Sequence, residues 1–197
     1  MMKTTKILSL LLILMPALLL AQPKEVIDAY NLNQAIVKKD VDQVKNLIEE
    51  GNDVNYQYNG RNALHTACDK DQEEIAALLI AAGADVNSLS EEGSGRTPLQ
   101  FVTGDLMNDQ PGLADLLLKN GADSNLSLNP DQVPLFDAIT NAHVGIVKVL
   151  LEHKAGTSIQ NSMSLTPSEY VTYLIDRGVT DAEKKSDLQE IKSLLSN

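Results

Sequence analysis

The chain has 197 residues, a formal charge of −11, 43% hydrophobic but only 4% aromatic residues, no Trp and one cysteine, Cys68. Such an acidic surface repels phosphodiester backbones and anionic headgroups, which excludes nucleic acid and membrane surfaces as partners and favours a basic protein. One cysteine excludes an internal disulfide, and so few aromatic residues suit thin layers of Leu, Ile, Val and Ala.

In chain order the first element is a targeting segment. Lys3 and Lys6 form a charged start, Ile7 to Met15 an apolar run, and Pro16 a breaker before the small Ala21. That pattern predicts a signal peptide over residues 1–21, cleaved after Ala21. The apolar stretch falls short of the roughly 20 residues a bilayer span requires. The expected product is a periplasmic or secreted protein with no membrane attachment after cleavage, and a monomer.

From residue 22 onward two phrases alternate. Gly51-Asn52-Asp53-Val54-Asn55, Gly83-Ala84-Asp85-Val86-Asn87 and Gly121-Ala122-Asp123-Ser124-Asn125 each close an apolar helical stretch. Glycine there supplies a left-handed helix end, and the Asp and Asn favour a tight turn. The second phrase opens the next helix at Asn62, Thr97, Val133 and Thr166, with spacings of 35, 36 and 33 residues. Thr97 and Thr166 are positioned to cap through their hydroxyls, while Pro98, Pro134 and Pro167 occupy the first helical position, where a missing N–H costs nothing.

These periods predict helix pairs stacked in a row. The units run approximately over residues 24–55, 56–87, 92–125, 128–159 and 161–197, and the outer two read as caps. In the first, helices are expected near Val26 to Lys38 and Asp42 to Glu50. In the fourth, Lys154-Ala155-Gly156 replaces Gly-Ala-Asp and weakens the turn signal. In the fifth, a helix is expected through Tyr170 and Leu174 to Arg177, then a polar loop from Val179 to Lys185 and a last helix bearing Leu188, Ile191 and Leu194.

The phrases Asn62-Ala63-Leu64-His65-Thr66-Ala67 and Thr97-Pro98-Leu99-Gln100, with the Gly-Ala-Asp-x-Asn tails, resemble the ankyrin repeat over roughly residues 32–160. The resemblance implies an all-α solenoid of about five helix-turn-helix units with short hairpin fingers, filling residues 22–197 after the signal peptide. It also implies a non-catalytic module that binds a protein through finger tips and the concave side of the first helices. Carried across by motif, the partner-binding candidates are Tyr58, Arg61, Asp69 and Lys70, then Ser94, Arg96 and Asp105, then Asn129, Gln132, Thr140 and Asn141, and finally Met163, Leu165 and Tyr173. Tyr56 joins them because tyrosine offers large, rigid contact area.

Two departures from the repeat pattern stand out. Three extra residues within Asp105 to Asp109 enlarge the turn of the third unit and put Leu106 and Met107 at an expected exposed tip, where insertions often bind. The finger from Ser88 to Arg96 is also lengthened, and Gly93 and Gly95 give it freedom.

No catalytic, cofactor or metal site is expected. The resemblance makes His65 a structural hydrogen-bonding residue and His143 a structural residue ahead of a second helix, and His153 suits a helix C-terminus. Cys68 sits where a small buried residue is needed. The acidic pairs Asp40/Asp42 and Asp69/Asp71 lack a calcium loop. Within the binding class, two particular roles are an inhibitor or immunity protein against a basic toxin or hydrolase and a module tied to oxidative-stress defence. A multimerising spacer is the structural alternative.

Overall fold

A computed structural model describes residues 22–93, 95–105, 108–178 and 181–196. The expected signal peptide therefore lies outside the described residues, as do Ser94, Leu106 and Met107. Among the described residues no helix is long and apolar enough to cross a membrane.

The helices come in pairs. They are α1 (Lys24–Val37) and α2 (Val41–Glu49), α3 (Ala63–Asp69) and α4 (Glu73–Ala81), α5 (Pro98–Thr103) and α6 (Pro111–Lys119), α7 (Pro134–Asn141) and α8 (Val144–Glu152), and α9 (Pro167–Asp176) and α10 (Ala182–Leu194). Each first helix packs on the first helices before and after it, each second helix on its neighbouring second helices, and the two members of each pair on one another. The result is two helical layers with an apolar seam between them. Leu64, Leu99, Leu135 and Val171 enter that seam from one side, and Val44, Leu79, Leu117, Leu150 and Leu188 from the other, all of them fully buried. They belong to one continuous cluster, so no pair has a core of its own. Fully burying one such side chain stabilises by about 1.5–3 kcal/mol. Ala67, Ala76, Ala114 and Ala138, also buried, let the layers approach closely.

Capping chemistry starts the first helices. Thr97 and Thr166 accept from the backbone N–H of Gln100 and Glu169, as expected, and Asn62 caps α3 in the same way through the N–H of His65. In all three the third helical residue bonds back to the cap's own N–H, closing a reciprocal box. At the other end, Gly51, Gly83 and Gly121 have φ of 85°, 90° and 91°, the left-handed closure expected there. The fourth unit corrects the reading of a weakened turn. Lys154 takes the left-handed slot at φ 62°, and Gly156 N–H still finds Asn125 Oδ1 at 2.8 Å. The last polar loop is also shorter than expected, because Asp181 accepts from Lys184 N–H and begins α10 at Ala182.

A polar ladder runs along the turns that follow the second helices. Asn55 Nδ2 donates to Gly83 O at 3.0 Å and its Oδ1 accepts Asp85 N–H at 2.8 Å. Asn87 repeats both bonds one unit on, to Gly121 O at 2.9 Å and from Asp123 N–H at 2.8 Å. Each Asn therefore bonds backbone groups that the next turn cannot pair within itself. The fingers are minimal. Tyr58 and Arg61 form a single antiparallel bridge across Asn59 and Gly60, both at positive φ, and no extended strand occurs among the described residues.

Because Leu99 is fully buried on α5, a helix packed on the first helices before and after it, Leu99→Ala should lower unfolding free energy by about 2–5 kcal/mol, and Leu99→Asp should abolish the cooperative melt. Leu188→Ala at the terminal pair should loosen α10 first, which amide exchange would detect as early opening confined to that helix.

Candidate functional site

The residues named from sequence fall on the first helices and the fingers, and most of them are engaged with the protein itself. Tyr58 packs edge-on against Tyr30 of α1, with ring centroids 5.7 Å apart. Tyr56 is half-buried at the finger base. Arg61 lies over the Phe101 ring at 4.5 Å, with Nε 2.5 Å from Glu92 Oε2 and Nη1 3.6 Å from Asp69 Oδ1. Lys70 Nζ completes the chain at 3.0 Å from Asp69.

Arg96 approaches the same Phe101 ring at 5.2 Å, while Nη2 donates to Gln100 O and sits 3.4 Å from Asp137 Oδ2. A Cβ at Gly104 would collide with this guanidinium, so glycine there makes room for it. Asp137 is the perturbed carboxyl of this group. Burial pushes its pKa up to about 6, outweighing the attraction of Arg96.

Behind these groups stand the ties that hold the fingers. His65 Nδ1 accepts Asn62 N–H at 3.3 Å, which leaves the proton on Nε2, 3.0 Å from both Ser88 O and Arg96 O. Burial lowers its pKa and keeps the ring neutral. Gln100 does the same job for the next finger, donating to Gln132 O at 2.5 Å and Ser127 Oγ at 3.0 Å. Gln132 thus serves the finger through its carbonyl, and Asn129 caps the short helical turn over Pro130–Gln132 by accepting Asp131 N–H at 2.9 Å.

Farther along, Thr140 Oγ1 lies 3.2 Å from Tyr170 OH, and Asn141 Nδ2 donates to Thr103 O at 3.2 Å. Tyr170 meets Phe136 edge-on at 5.5 Å and stacks on Tyr173 at 6.3 Å. Arg177 covers Tyr173 at 5.5 Å and donates to its hydroxyl at 3.0 Å. Sequence reasoning missed Tyr30, Phe101, Phe136 and Tyr170 as contributors to this face, although all four lie in predicted first helices.

The enlarged turn of the third unit is stapled on both sides. Asn108 Nδ2 donates to Asp71 Oδ2 of the second unit at 2.8 Å. Asp109 accepts Gly145 N–H at 2.7 Å and Ile146 N–H at 2.9 Å, so it caps α8 of the fourth unit from outside. His143, although it precedes α8, makes no side-chain cap. Asp105, in the same turn, is half-buried. Asn108 and Asp109 thus tie the enlarged turn to the units on either side of it, while the expected tip residues Leu106 and Met107 lie outside the described residues.

The remaining reactive groups are quiet. Cys68 is buried, and burial holds its thiol far above the usual range. His153 Nε2 pairs with Asp115 Oδ1 at 2.9 Å at the end of α8. No group of three potential ligands capable of holding a metal ion occurs among the described residues. A cleft of 320 Å³ lies between the starts of α2 and α4, lined by Lys39, Val41, Asp71, Gln72, Glu73, Glu74 and Ile75.

Comparison with known proteins agrees with this architecture. Residues 32–127 match the family model described as ankyrin repeats (3 copies). The chain is similar to a putative ankyrin repeat protein, FPV031, of fowlpox virus (strain NVSL), 31% identical over 145 residues that cover 71% of this chain and 41% of the relative. It is 32% identical over 130 residues to tyrosine-protein kinase HTK16 of Hydra vulgaris, covering 63% of this chain and 16% of the kinase. It is 35% identical over 112 residues to ankyrin repeat and SOCS box protein 16 of Homo sapiens, covering 57% and 22%. The chain spans less than half the length of each of these relatives.

Two measurements check the site. Asp109→Ala removes the acceptor at α8 and should cost about 1 kcal/mol in urea unfolding, with the loss of protection concentrated in Val144–Glu152. Asp137 keeps its proton when folded up to about pH 6, whereas an unfolded carboxyl loses it near about 3.9. Folding therefore takes up a proton between those values, and stability falls as pH rises, by at most about 1.4 kcal/mol per unit. Relative to Asp137→Asn, wild type should lose ground from about pH 4 to about pH 6 and hold a constant difference above that.

Proposed function

Since residues 32–127 of this chain are ankyrin repeats, we propose that it is an exported, non-catalytic protein-binding module that takes a basic partner on the face formed by its first helices and fingers. Ankyrin repeats generally mediate protein–protein interaction, and two clusters of half-buried tyrosines, Tyr30 with Tyr58 and Tyr170 with Tyr173, carry the reading here. Tyr30, Tyr58, Tyr170 and Tyr173 each leave part of a ring in solvent while ring–ring contacts hold them in place. Aromatic side chains already ordered before binding lose little entropy on contact, which is what makes tyrosine an anchor residue. The charge of −11 and isoelectric point near 4.6 support a basic partner and fast, salt-sensitive association. The same charge suits an inhibitor of a basic enzyme. Lys3, Lys6, the apolar run and Ala21 support export.

Capture of the tagged chain from the exported fraction of its own cells should recover a basic protein. Its affinity should fall about tenfold or more between low and high salt, and Tyr58→Ala or Tyr173→Ala should each weaken it by about 1–2 kcal/mol. Binding indifferent to both salt and the tyrosines, in variants whose melts match wild type, would overturn the assignment. N-terminal sequencing of the exported form should begin at Gln22.

A further inference from the structure

We propose that the finger tips supply Leu128 and Met163 as apolar anchors of this binding face, and that their occupant is a partner segment whose apolar side chains are flanked by Lys or Arg. The inference rests on the binding-module reading and adds to it the chemistry of the segment.

The first observation is where exposed apolar surface occurs. Leu128 is 65% exposed and Met163 45%; with Val37 at 51% they are the most exposed large apolar side chains of the described residues. Leu128 and Met163 both lie in fingers, on neighbouring units. Neither side chain is needed to build its turn. The finger at Leu128 is closed by Ser127 Oγ, which donates to Asn129 O at 2.8 Å and accepts Asn129 N–H at 3.1 Å. The finger at Met163 is closed by Asn161, whose Oδ1 accepts the N–H groups of Met163 and Leu165 at 3.0 and 3.1 Å. A polar residue at either place would leave those bonds intact and remove an apolar side chain from water.

The second observation is that the tips are joined into one surface. Glu91 N–H donates to Gly60 O at 2.8 Å, linking the first and second fingers. A Cβ at Gly95 would stand 2.9 Å from Leu128 Cδ1, so Leu128 lies against the second finger. Ser162 N–H donates to Asp131 Oδ1 at 2.9 Å, linking the third finger to the fourth. An ordered strip costs a partner less entropy than four independent loops.

Charge selects the occupant. Glu91, Glu92 and Asp131 are exposed along the strip. The fingers' two arginines are paired with acids, Arg61 with Glu92 and Asp69 and Arg96 with Asp137. A second copy of this chain would bring acids against acids, and anionic lipid meets the same repulsion. A protein segment with apolar residues between Lys or Arg meets both features of the strip.

The test is selection of a displayed random-peptide library on the full chain, followed by titration of the enriched peptides. Enrichment of Leu, Met or aromatic residues beside Lys or Arg is expected. Affinity should fall about tenfold with Leu128→Ser/Met163→Ser and about threefold with Glu91→Gln. Met163→Ser alone, which leaves the Leu128 contact with Gly95 untouched, guards against a folding defect in the double variant and should show a partial loss. Enriched peptides that are acidic or uncharged, or that bind the double variant as tightly as wild type, overturn the proposal. Peptides lost with Tyr58→Ala or Tyr173→Ala but indifferent to Leu128 and Met163 leave the module reading standing and defeat the finger-tip strip. If nothing is enriched, both fall.

Discussion

No helix pair in this chain can satisfy its own surface, and everything else in the structure follows from that constraint. A pair of helices this short buries too little apolar area to offset the entropy of ordering its backbone. Its turns also expose N–H and C=O groups with no partner inside the pair. Stacking answers both needs at once. Leu99 and its equivalents fill a seam shared by neighbours, and Asn55, Asn87 and Asn125 each reach forward to bond backbone of the next unit's turn.

The third residue of each first helix shows how finely this dependence is adjusted. His65 and Gln100 both accept from the preceding cap and donate forward to the following finger, which requires a side chain with an acceptor and a donor. Glu169 holds this position in α9, where its carboxylate accepts from both the N–H and the hydroxyl of Thr166. Phe136 offers neither group. Its ring packs on Tyr170, and the following finger closes through Asn161. Polar ties and aromatic packing are thus alternative solutions at one position, and together they give the finger-side face its ordered rings.

Much of the scaffold was legible because its signals are local. Gly83 with Asp85 and Asn87, or Thr97 with Pro98, act within a few residues through φ, a cap or a missing N–H, and such effects do not wait for tertiary structure. The candidate site was legible only in part. Tyr58 and Tyr173 were named, but the pairing of Arg61 and Arg96 over Phe101 joins residues from different units, and nothing near Arg96 in sequence announces Asp137. The bridging role of the enlarged turn was hidden for the same reason: Asp109 accepts from Gly145 at the start of α8, 36 residues downstream.

By itself the sequence determined the repeat, its period, most of the helix starts and ends, and an acidic charge balance, because each of these is written in spacing, backbone preference or charge count. Tertiary structure alone decided which polar side chains remain available to a partner. Arg61, Arg96, Thr140 and Asn141 read as surface contacts along the chain, yet folding brings each within reach of a group from another unit. Availability depends on what lies across the gap between units, and a one-dimensional pattern carries no record of that distance.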